Sequence, residues 1–93
     1  MNLQQMMMQA QKIKREMDKA QAELTKQEFV ISKNGAVTVT IKGDYTVTNV
    51  AIDPDMLEKD NQEMLQELLI LALNEGLSQI TKAKDAINER MQG

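Results

Sequence analysis

Val37 to Leu57 reads VTVTIKGDYTVTNVAIDPDML. Val37, Val39 and Ile41 alternate with Thr38, Thr40 and Lys42, the period of two that sets one side of a strand against a core and the other in water. Gly43-Asp44 suits a tight turn, and residues 45–53 run back with β-branched side chains. Tyr45 and Val47 share one parity while Val50 and Ile52 take the other, which predicts a bulge near Thr48-Asn49. Asp53-Pro54 then stops the sheet, since proline has no N–H for a ladder, and residues 54–58 suit one short helical turn with Pro54 first.

Working towards the N-terminus, Glu28 to Lys33 (EFVISK) reads as a first strand. Asn34-Gly35 joins it to the second strand, over 36–43, because both residues accept the positive φ of a type I′ turn. Before it, Leu3, Met6, Ala10, Ile13, Met17, Ala20 and Leu24 are spaced 3-4-3-4-3-4, an a/d heptad seam that predicts a helix over 3–26 made to pack on another helix. Asn2 is placed to cap it. After the sheet, Leu65, Leu68, Leu69, Ala72, Leu73, Leu77, Ile80, Ala83, Ile87 and Met91 predict a second helix over 61–91, with Asp60 as cap and Glu63 completing the capping box. The run Leu68 to Leu73 is apolar all round, so that part of the helix is expected to be covered on several sides. Gly76 in mid-helix costs about 1 kcal/mol relative to alanine, with close packing of another backbone as the expected compensation.

The pattern is therefore α-β-β-β-α, a single α+β domain over residues 1–93. A helix of this length spans about 36 Å and the strands only about 20–27 Å. The first helix must overhang its sheet with an apolar seam, and a symmetric homodimer is the simplest cover.

Composition narrows the chemistry. The chain has no cysteine and no histidine, which removes thiol nucleophiles, thiolate metal sites, the commonest metal ligand and the usual general base. No P-loop, dinucleotide turn or nucleophile–base pair is present, so no catalysis, cofactor, metal or small-molecule substrate is expected. The longest apolar run is Leu68 to Leu73 and the N-terminus lacks a signal-peptide core, so a cytoplasmic protein with no membrane partner is expected. Acids at Asp53, Asp55, Glu58, Asp60 and Glu63 do not match an EF-hand loop and read as caps and a solvated face. Phe29 and Tyr45 are too few aromatics for stacking single-stranded nucleic acid.

The net charge of −3 is segregated: residues 1–42 carry seven Lys/Arg against four Asp/Glu, residues 43–75 one against eight, and residues 76–93 three against two. Lys12, Lys19 and Lys26 recur every seven residues at heptad position c, with Arg15 at f beside them. Such an outward stripe meets phosphates without reading bases. The same residues also fit a solvated coiled-coil face, since Lys12–Glu16, Lys14–Asp18 and Lys19–Glu23 are i, i+4 pairs. Lys82, Lys84 and Arg90 are further candidates, though cations there also serve the helix C-terminus. Met6-Met7-Met8 reads as core or interface, or as a soft surface for apolar peptides.

Four pieces in order, Gln9-Ala10-Gln11, Val37 to Gly43, Val50-Ala51-Ile52-Asp53-Pro54 with Leu57, and Ala72 with Asn74, resemble the YbaB/EbfC family of bacterial nucleoid-associated proteins over roughly residues 3–91. The resemblance implies a small homodimer that binds double-stranded DNA with low sequence preference, located at the nucleoid and affecting its organisation and gene expression. It carries Lys12, Lys14, Arg15, Lys19, Lys26, Lys82, Lys84 and Arg90 as candidate DNA contacts. Two departures stand out: many members continue into a tail rich in glycine, proline and phenylalanine where this sequence stops at Met91-Gln92-Gly93, and Gly76 stands where alanine is common. The residue pattern keeps a rival open: a coiled-coil adaptor or holdase-type chaperone whose methionine-rich end takes apolar clients.

Overall fold

A computed structural model describes residues 2–92, with the side chains of Met91 and Gln92 outside the description. Helix α1 (Leu3–Lys26) leads into three strands, β1 (Glu28–Lys33), β2 (Val37–Lys42) and β3 (Val47–Ile52). Two 3-10 turns, Pro54–Leu57 and Lys59–Asn61, then enter helix α2 (Gln62–Gln92). The sheet is antiparallel in the order β1-β2-β3. One face of it lies on α2, and the whole measures 70 × 18 × 15 Å.

The alternation in β2 builds the core that its pattern requires. Val37, Val39 and Ile41 are fully buried, beside Ile31 from β1 and Leu68, Ala72 and Ile80 from α2. Burying a large aliphatic side chain of this kind contributes about 1.5–3 kcal/mol. Asn34 and Gly35 have φ of 56° and 65°, and Ala36 N donates to Lys33 O at 2.9 Å, so the β1–β2 connection is the turn that Asn-Gly favours. In the β2–β3 register Thr40 faces Asn49 and Ile41 faces Val47, which leaves Thr48 as the extra residue of a bulge.

Three local expectations are corrected. The third strand begins at Val47, not residue 45, because the turn runs from Gly43 through Thr46 and Tyr45 takes a left-handed φ of 69°. Tyr45 N donates to Lys42 O at 2.8 Å and Lys42 N to Thr46 O at 2.8 Å, closing a longer loop than Gly-Asp alone. Within it Asp44 accepts from Thr46 N at 2.9 Å; the hydrogen bonds from Thr46, chiefly, and the nearby Lys42 hold its carboxyl below the ordinary aspartate range. Asp60 does not cap α2, since it lies inside the 3-10 turn by which the chain enters that helix. Gly76 meets side chains rather than another backbone: a Cβ there would stand 2.6 Å from Ile41 Cδ1 and 3.5 Å from Ile31 Cγ1.

α1 is held at one end only. Leu24 is buried, Met17 and Ala20 are half-buried, and the seam residues before them are exposed. Gln21 Nε2 donates to Asn88 Oδ1 at 3.2 Å across to α2. Ala20, Leu24, Ala83 and Ile87 face one another in the same crevice. At its last turn α1 rests on the β2–β3 loop: Gly43 N donates to Gln27 O at 2.9 Å, and a Cβ at Gly43 would lie 1.8 Å from Leu24 O. The remaining half of α1 projects past the end of α2.

Candidate nucleic-acid interface

All eight sequence candidates are exposed, but the fold sorts them into distinct places. With 3.6 residues per turn, Lys12, Arg15, Lys19 and Lys26 fall within about 60° of one another on α1, on the side away from buried Leu24. They form one continuous face along the helix. Of the three i, i+4 pairs that spacing allows, Lys14–Asp18 is the one made among the described residues, at 3.3 Å and between largely exposed side chains. Lys12, Arg15, Lys19 and Lys26 have no ion-pair partner among the described residues. Lys14 stands apart on the flank of α1 with its charge answered by Asp18.

The α2 candidates do not cluster. Lys82 and Lys84 lie about 160° apart around the helix. Lys84 turns towards the β2–β3 loop, its Nζ 5.4 Å from the centre of the Tyr45 ring, in a groove of 310 Å³ that also takes in Gln21, Thr25 and Asp44. Tyr45 Oη lies 3.1 Å from Thr81 Oγ1. Arg90 lines a wider cleft of 730 Å³ on the opposite flank of α1, with Glu23 and Glu89 beside it. Lys12, Arg15, Lys19 and Lys26 thus share one face of α1, with Lys84 and Arg90 in grooves on its two flanks and Lys82 turned away from Lys84.

Tyr45 is the site feature that residue spacing missed. A tyrosine at positive φ is rare and strained, and what holds it is the hydroxyl contact to Thr81 and the cation of Lys84 over the ring. No local signal marks it, because Gly43-Asp44 already accounts for a turn there.

The acids lie at the other end. β3 runs away from the Tyr45 loop, so Asp53, Asp55, Glu58 and Asp60 in the 3-10 turns and Glu63 and Glu67 at the start of α2 gather far from the projecting half of α1. Among the described residues no group of three or more acids is arranged to hold a metal ion. No helix among them is long and apolar enough to cross a membrane.

Known proteins resemble the chain over nearly all of its length. The model of the YbaB/EbfC DNA-binding family matches residues 1–93. The chain is 45% identical over 87 residues to the nucleoid-associated protein LBA0378 of Lactobacillus acidophilus, covering 92% of this chain and 78% of that one. It is 41% identical over 90 residues to the nucleoid-associated protein NT01CX_0824 of Clostridium novyi, covering 96% and 77%. The crystal structure of HP0035 from Helicobacter pylori has the same fold, with a TM-score of 0.77 over 100% of this chain and 99% of that one at 22% identity.

Proposed function

The chain belongs to the YbaB/EbfC DNA-binding family, and from that premise we propose that it binds double-stranded DNA as a homodimer, through phosphates and with little sequence preference. The observation that carries this reading is the face of Lys12, Arg15, Lys19 and Lys26 on an exposed helix, without ion-pair partners among the described residues. Lys12 to Lys26 spans about 21 Å, two heptads at 1.5 Å per residue, which reaches several successive phosphates. Lysine and arginine on a helix surface contact charge rather than base edges, so affinity comes without a code. The acidic end repels the duplex and orients the molecule with α1 towards it. Bound in this way, the protein acts at the nucleoid in the cytoplasm and alters its organisation and gene expression.

A second copy fits the back of α2. Ile70 and Leu71, 57% and 56% exposed, lie within the run Leu68 to Leu73 whose all-round apolarity calls for cover on several sides. Met64 and Leu77 flank them on the same helix. A two-fold pairing of α2 helices buries these side chains against their counterparts. Ile70→Glu combined with Leu71→Glu is expected to lower the assembled mass by sedimentation while the chain stays folded; a mass unchanged by both charges removes this face from the interface.

Fluorescence anisotropy of a labelled duplex tests the DNA reading. Titrated at 50 and 200 mM salt, a protein making six or more phosphate contacts loses about a thousandfold in affinity. Unlabelled duplexes of unrelated sequence are expected to compete equally. Absence of binding at 50 mM salt overturns the proposal.

A further inference from the structure

Leu3 to Gln11 is a length of helix with no charged residue and no packed face. Leu3 is 72% exposed and Met6 53%. Met7, Met8 and Ile13 are exposed as well. The seam that α2 covers at Met17, Ala20 and Leu24 nonetheless continues through Ile13, Ala10, Met6 and Leu3 with the same 3-4 spacing. The two helices run antiparallel, and the Gln21–Asn88 contact sets their register, so Gln92 comes level with about residue 17. From there outward the seam is built but unfilled.

Its chemistry selects the occupant. The side chains around the seam are Gln4, Gln5, Gln9 and Gln11, neutral and hydrogen-bonding, with Lys12 as the first cation. A helix made for an anionic lipid surface carries a lysine- and arginine-rich polar face, which this stretch lacks. A neutral helix with the same seam fits, and the chain itself supplies one. In an antiparallel pair of two such arms, Leu3 of each copy meets Ile13 of the other, and Met6 meets Ala10, a large side chain against a small one. The heptad places Met7 at e and Gln9 at g, so no charge on these flanking positions opposes its counterpart.

We propose that the projecting half of α1 pairs antiparallel with the same half of a second copy, through Leu3, Met6, Ala10 and Ile13. This contact is separate from the back of α2, at the other end of the molecule, and both are open at once. Where α2 joins two copies, as proposed for the homodimer on which this consequence rests, the arms join one dimer to the next and hold two DNA segments together.

Because the chain has no cysteine, single cysteines report the pairing cleanly. With copper–phenanthroline as oxidant, Met7→Cys and Gln9→Cys, both flanking the seam, are expected to form covalent dimers in high yield. Met8→Cys on the outward face is expected to remain mostly unlinked. Adding Ile13→Glu, or Met6→Glu further out, is expected to abolish the cross-link and, by sedimentation, to cut the larger assemblies back to the α2-paired dimer while circular dichroism shows the sheet and α2 retained. Carrying the cysteines into the Ile70→Glu, Leu71→Glu chain separates the two interfaces, since arm cross-links are expected there even though the α2 faces no longer pair. Equal cross-linking at Met7, Gln9 and Met8, or an assembled mass indifferent to both glutamates, overturns arm pairing and leaves the α2 dimer and the DNA reading standing. So does an arm that, when charged, loses only its ability to keep a denatured test protein soluble, which identifies an unfolded client as the occupant.

Discussion

Gly43→Ala is expected to lower stability by about 3 kcal/mol or more, which for a domain of this size moves Tm by roughly 12–24 °C. The added Cβ would lie 1.8 Å from Leu24 O and 2.6 Å from its carbonyl carbon. Both neighbours are backbone, so no side-chain rotation relieves the overlap. The helix end must lift, and with it go the Gly43–Gln27 hydrogen bond and the burial of Leu24, the one buried residue of α1. Thermal melts followed by circular dichroism measure the loss. Gly35→Ala serves as the comparison: nothing lies within 4 Å of its Cβ, and only its φ of 65° opposes the change, so about 1 kcal/mol is expected. Equal effects at the two glycines would mean that α1 does not depend on its seat against the β2–β3 loop.

Replacing Lys12, Arg15 and Lys19 together by alanine is expected to flatten the plot of log affinity against log salt by about 2.7 for each protomer that touches the duplex, or about 0.9 for each phosphate contact removed. Duplexes of every sequence weaken alike, because charge and not base edges is removed. The three side chains are exposed and unpaired among the described residues, so stability stays within about 0.5 kcal/mol. Lys33→Ala, which removes a cation already bound to Glu75 on α2, is expected to leave the slope unchanged. A triple variant that is folded and binds with the wild-type slope takes the α1 face out of the DNA site.

Long-range order in the sequence made the fold readable. The alternation through Val37, Val39 and Ile41 and the 3-4 spacing from Leu3 to Leu24 are repeated signals that one side chain cannot upset. The Tyr45 loop, by contrast, turns on a single residue held in an unfavourable φ by groups on α2, Thr81 and Lys84, far away in sequence. The entry to α2 shows the same limit: Asp60 and Glu63 fit a capping box by spacing, yet the chain folds there into a 3-10 turn in which Asn61 Nδ2 donates to Asp55 O at 2.9 Å. For the candidate site, the seven-residue recurrence of Lys12, Lys19 and Lys26 was visible because a helix turns it into a face. Which of three equivalent ion pairs forms was not visible, since Lys12–Glu16, Lys14–Asp18 and Lys19–Glu23 are the same by spacing. Nor could spacing separate Lys82 from Lys84, whose neighbours come from another part of the chain.

The one-ended seat of α1 has a mechanical consequence. From Met17, the half-buried position of its seam nearest the N-terminus, to Leu3 is about 21 Å of stiff rod. A tilt of about 10° at the seat carries the far end through about 4 Å, close to the axial rise of about 3.4 Å between neighbouring phosphates on one strand. Any small-angle tilt at Leu24 and Gly43 would thereby be geared up into a stroke of that size at Leu3. On the proposed DNA reading, a pair of such levers would adjust its gape to the duplex, and the proposed tolerance of sequence would then rest on compliance at the pivot as much as on the chemistry of lysine.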